Sequence, residues 1–166
     1  MRLFHFALAL LLLASSACGF QLQGQRELAP ELRSVSVDFQ AKYQVLQPPL
    51  VRALRERIER HGGNASDIEN STRLRISTLE ERVLLLSVNA AGEVIEYLYT
   101  TTVGYELIDA GRIRVPYRTL SVSREYSFNS REVLATEAEA EQLRAQMQSE
   151  LAELILLQLE AELHKS

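Results

Sequence analysis

The 166-residue sequence holds a single cysteine, no tryptophan, four prolines and three histidines. Each shortage excludes something. With Cys18 alone, no intramolecular disulfide can form, so the fold must rest on its hydrophobic core. Beyond the first segment the histidines reduce to His61, beside a Gly-Gly pair, and His164, among the last three residues. Two such residues supply neither a metal cluster nor a triad base. A Gly-x-Ser-x-Gly elbow and a phosphate-cradling glycine loop are also missing. The carboxylates are scattered, or gathered as Glu137, Glu139 and Glu141, which suits the N-terminal part of a helix. The expectation is a protein that is not an enzyme and carries no cofactor and no metal. With 18 basic against 22 acidic residues, the balance argues against nucleic acid as a partner.

What is present begins at the front. Arg2 gives a positive start, and residues 3–13 are apolar apart from His5. That run falls within the roughly 7 to 15 residues of a signal-peptide core and is too short to span a bilayer as a helix. Ser15, Ser16 and Ala17 then precede Cys18. The stretch resembles a bacterial lipobox, with Ser15 where leucine is commonest. The expected division is a lipoprotein signal peptide over 1–17, a lipidated tether over 18–30 and one domain over 31–166. An ordinary secretory signal is the alternative, but it leaves unexplained why the only cysteine sits at the cut. Acyl chains on Cys18 contribute about 0.8 kcal/mol per buried methylene, so two or three of them anchor a protein without a transmembrane helix. Similarity to bacterial lipoproteins implies that Gly19, not being aspartate, favours sorting to the outer membrane. Removal of Arg2 with the signal takes the formal charge from −4 to −5.

The remaining length suffices for one core. Val35, Val37 and Phe39 alternate as in a half-buried strand. Pro48-Pro49 suits a helix start, and Leu50, Leu54 and Ile58 follow at helical spacing until His61-Gly62-Gly63. From 73 to 128 the signal is strand throughout. Leu74, Ile76 and Thr78 alternate, and residues 83–88 form a continuous apolar run of the kind expected where both faces of a strand are covered. Turns are expected at 89–92 and 109–111. Between them, Ile95, Tyr97, Tyr99, Thr101, Val103, Tyr105 and Leu107 share one face of a strand roughly 45 Å long at about 3.3 Å per residue. On the next strand Leu120, Val122, Tyr126 and Phe128 share a face. Thr136 with Glu139 reads as a capping box opening a last helix, whose stripe of Leu143, Met147, Leu151, Leu154 and Ile155 becomes apolar nearly all round over 154–159. The fold class expected is α+β: a two-layer sandwich of two helices on a four-stranded mixed sheet, in the order β-α-β-β-β-α.

In such a meander the 89–92 turn, the loop after the fourth strand and the start of the last helix lie at one end of the sheet. The helix N-terminus offers free N–H groups there, and Arg124 and Arg131 are candidate anion-binding residues. Glu93, Glu132, Glu137 and Glu139 stand at the same end and are the competing partners for those arginines.

Several motifs in order resemble the LptE family: Cys18-Gly19-Phe20-x-Leu22, residues 83–88, Glu96-Tyr97, Val115-Pro116, residues 124–128, and Val133-Leu134-Ala135 leading into a Glu-rich helix. The resemblance implies an outer-membrane lipoprotein, anchored through acyl chains on Cys18, that sits as a plug inside the LptD β-barrel. It also implies help in the final delivery of lipopolysaccharide to the cell surface and binding of lipopolysaccharide through its anionic groups. Two positions depart from the family pattern. A basic residue common in the second-to-third strand turn is replaced by Asn89-Ala90-Ala91-Gly92, and a lysine common before the Glu-rich helix is Thr136 here. Arg124 and Arg131 are the candidate substitutes. The alternative function is an adaptor lipoprotein for another outer-membrane barrel machine.

Overall fold

The computed structural model describes residues 28–40, 47–65, 72–127 and 133–165. A short 3-10 turn, Pro30–Leu32, leads into β1 (Val35–Phe39), α1 (Pro49–Arg60), β2 (Thr72–Val88), β3 (Val94–Asp109), β4 (Arg112–Ser127) and α2 (Val133–Leu163). The sheet order is β1-β2-β3-β4, with β1 parallel to β2 and the other pairs antiparallel. Parallel neighbours need a crossover, and α1 supplies it. The expected α+β sandwich is therefore the observed one.

Local chemistry sets the element ends. Pro49 opens α1, where its missing N–H costs nothing. After the cap residue His61, Gly62 takes φ +79°, its N–H donates to Glu59 O (2.9 Å) and Gly63 N–H donates to Ile58 O (2.9 Å). This pair of bonds closes the helix on its own last carbonyls. The β3–β4 loop is Ala110-Gly111 with both φ positive, the two-residue turn whose twist matches antiparallel strands. At the β2–β3 turn the Asn89 carboxamide oxygen accepts from Ala91 N (3.0 Å) and Glu93 N (2.9 Å).

The core lies between the helices and one sheet face. Leu50, Val51, Leu54 and Ile58 of α1 meet Met147, Leu151, Ile155 and Leu159 of α2 over Leu74, Ile76, Val103, Tyr105 and Leu107. Leu28 and Ala29, at the end of the segment read as a tether, are buried in this core as well.

Four expectations are corrected. The register slips between Ile76 and Thr78, so one extra residue flips the alternation and Leu79, not Thr78, shares a face with Leu74 and Ile76. Residues 83–88 are not covered on both faces: Val83, Leu84, Leu85, Leu86 and Val88 are 41–60% exposed, and at this end α2 lies over β3 and β4, with Arg144 against Tyr99 and Glu139 against Tyr126. α2 begins at Val133, so Thr136 lies inside the helix and is not its N-cap. Within the apolar end of α2, Leu157 faces solvent. Phe128 lies outside the described residues.

Candidate functional site

The register places Arg124 at the end of the sheet that holds the 89–92 turn. Val88 pairs with Val94 across the β2–β3 turn, and Glu96 pairs with Ser127 at the end of β4, so the turn and the end of β4 are neighbours. On the helix side, cross-strand rows run Val83–Tyr99–Arg124 and Leu85–Tyr97–Tyr126. Tyr99 meets Tyr126 edge-on with ring centroids 5.9 Å apart, and Tyr97 in the same manner at 6.4 Å. The Arg144 guanidinium of α2 lies 5.8 Å from the Tyr99 ring centre, a cation–π contact. Tyr126 donates to Glu139 of α2 at 3.4 Å.

Arg124 is placed here, and it is already engaged: its Nη2 lies 2.6 Å from Glu150 Oε2 of α2, and its Nη1 donates to Ser123 O at 2.9 Å. Half of its side chain stays exposed. Arg131 and Cys18 lie outside the described residues. Tyr97, Tyr99, Tyr126 and Arg144 were not singled out as site residues from sequence. The tyrosines' alternate spacing places them on one face, but nothing in the linear pattern brings Arg144 over them.

A polar chain runs from the buried start of α1 out to the exposed Glu81 of β2. The Leu50 N–H, in the first turn of α1, donates to the Gln148 carboxamide (3.1 Å), and Gln148 donates in turn to Glu81 (3.0 Å). Deeper in, Tyr105 donates its hydroxyl hydrogen to Gln158. Burial pushes the Tyr105 phenol up to about 12; nearby Arg118 opposes the shift and Glu162 adds to it.

The opposite sheet face is open and polar. Thr100 bonds Ser123 (2.9 Å) and Thr102 bonds Ser121 (2.8 Å) as hydroxyl pairs, and Arg75 grips Glu106 at 2.7 Å. Tyr117 lies across Gly104, where a Cβ would fall 2.2 Å from the phenol oxygen. A shallow cleft between α1 and α2 is lined by Arg57, Arg60, His61, Glu153 and Leu157, but Arg57 is held by Ser149 (3.0 Å) and Glu153 (3.8 Å). Among the described residues no three histidine, cysteine or acidic side chains gather to hold a metal, and no helix is long and apolar enough to cross a membrane.

Two helices on one face of a mixed sheet, with an open polar face opposite and a tyrosine–arginine end, define an α+β sandwich. The chain belongs to the LptE family, described as Lipopolysaccharide-assembly, which matches residues 32–159. It is 28% identical over 163 residues to the LPS-assembly lipoprotein LptE of Yersinia enterocolitica, covering 95% of this chain and 75% of that protein. It is 26% identical to the LPS-assembly lipoprotein LptE of Pectobacterium atrosepticum, covering 95% and 85%. In structure it is similar to the rare lipoprotein B from Shewanella oneidensis, with TM-score 0.63 and 25% identity over 76% of this chain and 92% of that one. The fold is also that of lipoprotein B from Nitrosomonas europaea, with TM-score 0.67 and 24% identity over 86% and 91%. Membership of the family gives the chain a role in lipopolysaccharide assembly.

Proposed function

We propose that this chain is an outer-membrane lipoprotein, acylated at Cys18, that plugs and supports a β-barrel of the LptD type during final delivery of lipopolysaccharide. The observation that carries the reading is the family match across residues 32–159. The shape is compatible with it: a barrel lumen is polar, and the open sheet face of hydroxyl pairs and ion pairs suits such a wall. Lipopolysaccharide is bound through Arg124 and Arg131, with Arg124 exchanging Glu150 for an anionic group.

The test is affinity purification of the tagged chain from detergent-solubilised outer membranes, with partners identified by mass. A stoichiometric large barrel of the LptD type is expected. Recovery of the chain alone overturns the plug role; recovery of a different barrel replaces it with an adaptor role in another machine.

A further inference from the structure

The chain enters its domain at the end of the sheet opposite the tyrosine–arginine cluster. Leu28 and Ala29 are buried there, with Leu28 packed against Gly63 just past α1. Glu31 then pairs with Arg114 of β4 at 3.3 Å, which ties the point of entry to the β3–β4 hairpin. The tip of that hairpin reads Ala110-Gly111-Arg112-Ile113-Arg114 and is exposed throughout. Ile113 is 65% exposed, more than any other large apolar side chain among the described residues. It shares a cross-strand row with Ile108 and Arg73, and Arg112 stands next to it in the chain.

The two ends differ in charge. At the hairpin end the nearby acids are engaged: Asp109 accepts from Thr72 at 2.7 Å, Glu106 holds Arg75 at 2.7 Å and Glu31 holds Arg114. Arg73 and Arg112 are exposed and have no acid paired to them among the described residues. At the far end Glu93, Glu96, Glu125 and Glu139 gather near the 89–92 turn, and Arg124 is held by Glu150. The 16 residues of β3 separate these ends by about 50 Å. Cys18 precedes Leu28 by ten residues, a span of at most about 35 Å. A leaflet holding acyl chains on Cys18 therefore lies within reach of the hairpin end, at less than the length of the sheet.

We infer that the hairpin tip is a second membrane contact beside the acyl anchor, on an anionic phospholipid surface. Ile113 enters the headgroup layer, and Arg112 and Arg73 meet the lipid phosphates of the same leaflet. The inference rests on acylation of Cys18 in the reading above and adds the face that the anchored domain turns to the bilayer. Tether and charge select this occupant. The anchor brings headgroups to the hairpin, guanidinium groups grip phosphate with two hydrogen bonds, and arginine stems lie along apolar surface while their heads stay in the polar layer. The same anionic surface attracts the arginines and repels the glutamate-rich far end.

The experiment uses the sequence's lack of any cysteine besides Cys18. With Cys18 acylated, Ala110→Cys or Ala90→Cys supplies the one free thiol for a fluorescent label. The acylated, processed chain is reconstituted in vesicles of phosphatidylethanolamine and phosphatidylglycerol carrying a headgroup-attached quencher, and in phosphatidylcholine vesicles with the same quencher. In the anionic vesicles the label at 110 is quenched about threefold more than the label at 90, and in phosphatidylcholine that difference shrinks. In Arg112→Ser/Ile113→Ser, which alters only exposed side chains, quenching at 110 falls to the phosphatidylcholine level while the protein stays with the vesicles. Quenching at 110 that is the same in both vesicles, or unchanged in the double variant, assigns the approach to the tether alone; it overturns the hairpin contact and leaves the acyl anchor standing. Equal quenching at 90 and 110 overturns it too, since the chain then lies along the surface. A processed chain whose mass shows no acyl chains overturns the anchor reading and the inference with it.

Discussion

Tyr105 shows how one side chain carries both packing and charge. Its ring is buried in the core under α2, and its hydroxyl reaches Gln158. A phenol raised from 10.0 to about 12 stays protonated in the folded chain where it ionises in the unfolded one. Its contribution is complete below pH 10 and is lost as pH rises through 12, because the unfolded state then binds fewer protons. Urea unfolding between pH 8 and 11.5 should show stability falling above pH 10, and Tyr105→Phe should flatten that fall. At neutral pH the variant loses the Gln158 bond, at a cost of about 1 kcal/mol. Arg124 belongs to the same scale. With its Glu150 partner 2.6 Å away, Arg124→Glu sets two carboxylates face to face, so the cleaner probe is Arg124→Gln with Arg131→Glu. Lipopolysaccharide capture should weaken several-fold with little change in melting temperature, measured by binding to immobilised lipopolysaccharide; unchanged capture sinks the arginine site.

At the scale of elements, the two helices are joined by more than apolar contact. Gln148 is buried, accepts from the first turn of α1 and donates to β2. One side chain thus ties α1, α2 and the sheet, and it satisfies an N–H that a helix start leaves without an internal partner. Gln148→Leu keeps the volume but strands the Leu50 N–H and removes a donor from Glu81. A loss of about 1–3 kcal/mol is expected by denaturant titration, and a change under 0.5 kcal/mol would mean that water replaces the amide. Both helices and all the strands were legible from sequence, since apolar spacing and turn residues are local signals. The Ser77 irregularity was not. A bulge inserts one residue without altering composition, so the pattern Leu74, Ile76, Thr78 looked continuous while the strand changed face beyond it.

The whole molecule is a sandwich with one end dressed for company. Helix coverage protects the half of the sheet around Leu74, Ile76 and Leu107 and leaves residues 83–88 in the open. A free chain in water carries that apolar end at a cost, and under the proposed plug role a barrel partner would cover it. Stoichiometric recovery with a barrel is therefore expected to withstand raised salt, since burial of neutral residues is not screened as surface ion pairs are; a complex dissolved by 0.5 M salt would point instead to the charged residues of the open face.

The sequence by itself determined the order and nature of the elements, the turns at Asn89 and Ala110, the helix stop at His61-Gly62-Gly63 and the family. These depend on backbone preferences and periodicity, which residues express within a few positions of one another. Tertiary structure decided the rest. The apolar character of residues 83–88 was plain, but whether a helix covers them depends on where α1 and α2 come to lie. The candidate role of Arg124 was readable from its position on β4, whereas its engagement by Glu150, twenty-six residues later, arises only when α2 packs across the sheet. Periodicity states which side chains share a face; packing alone states what that face meets.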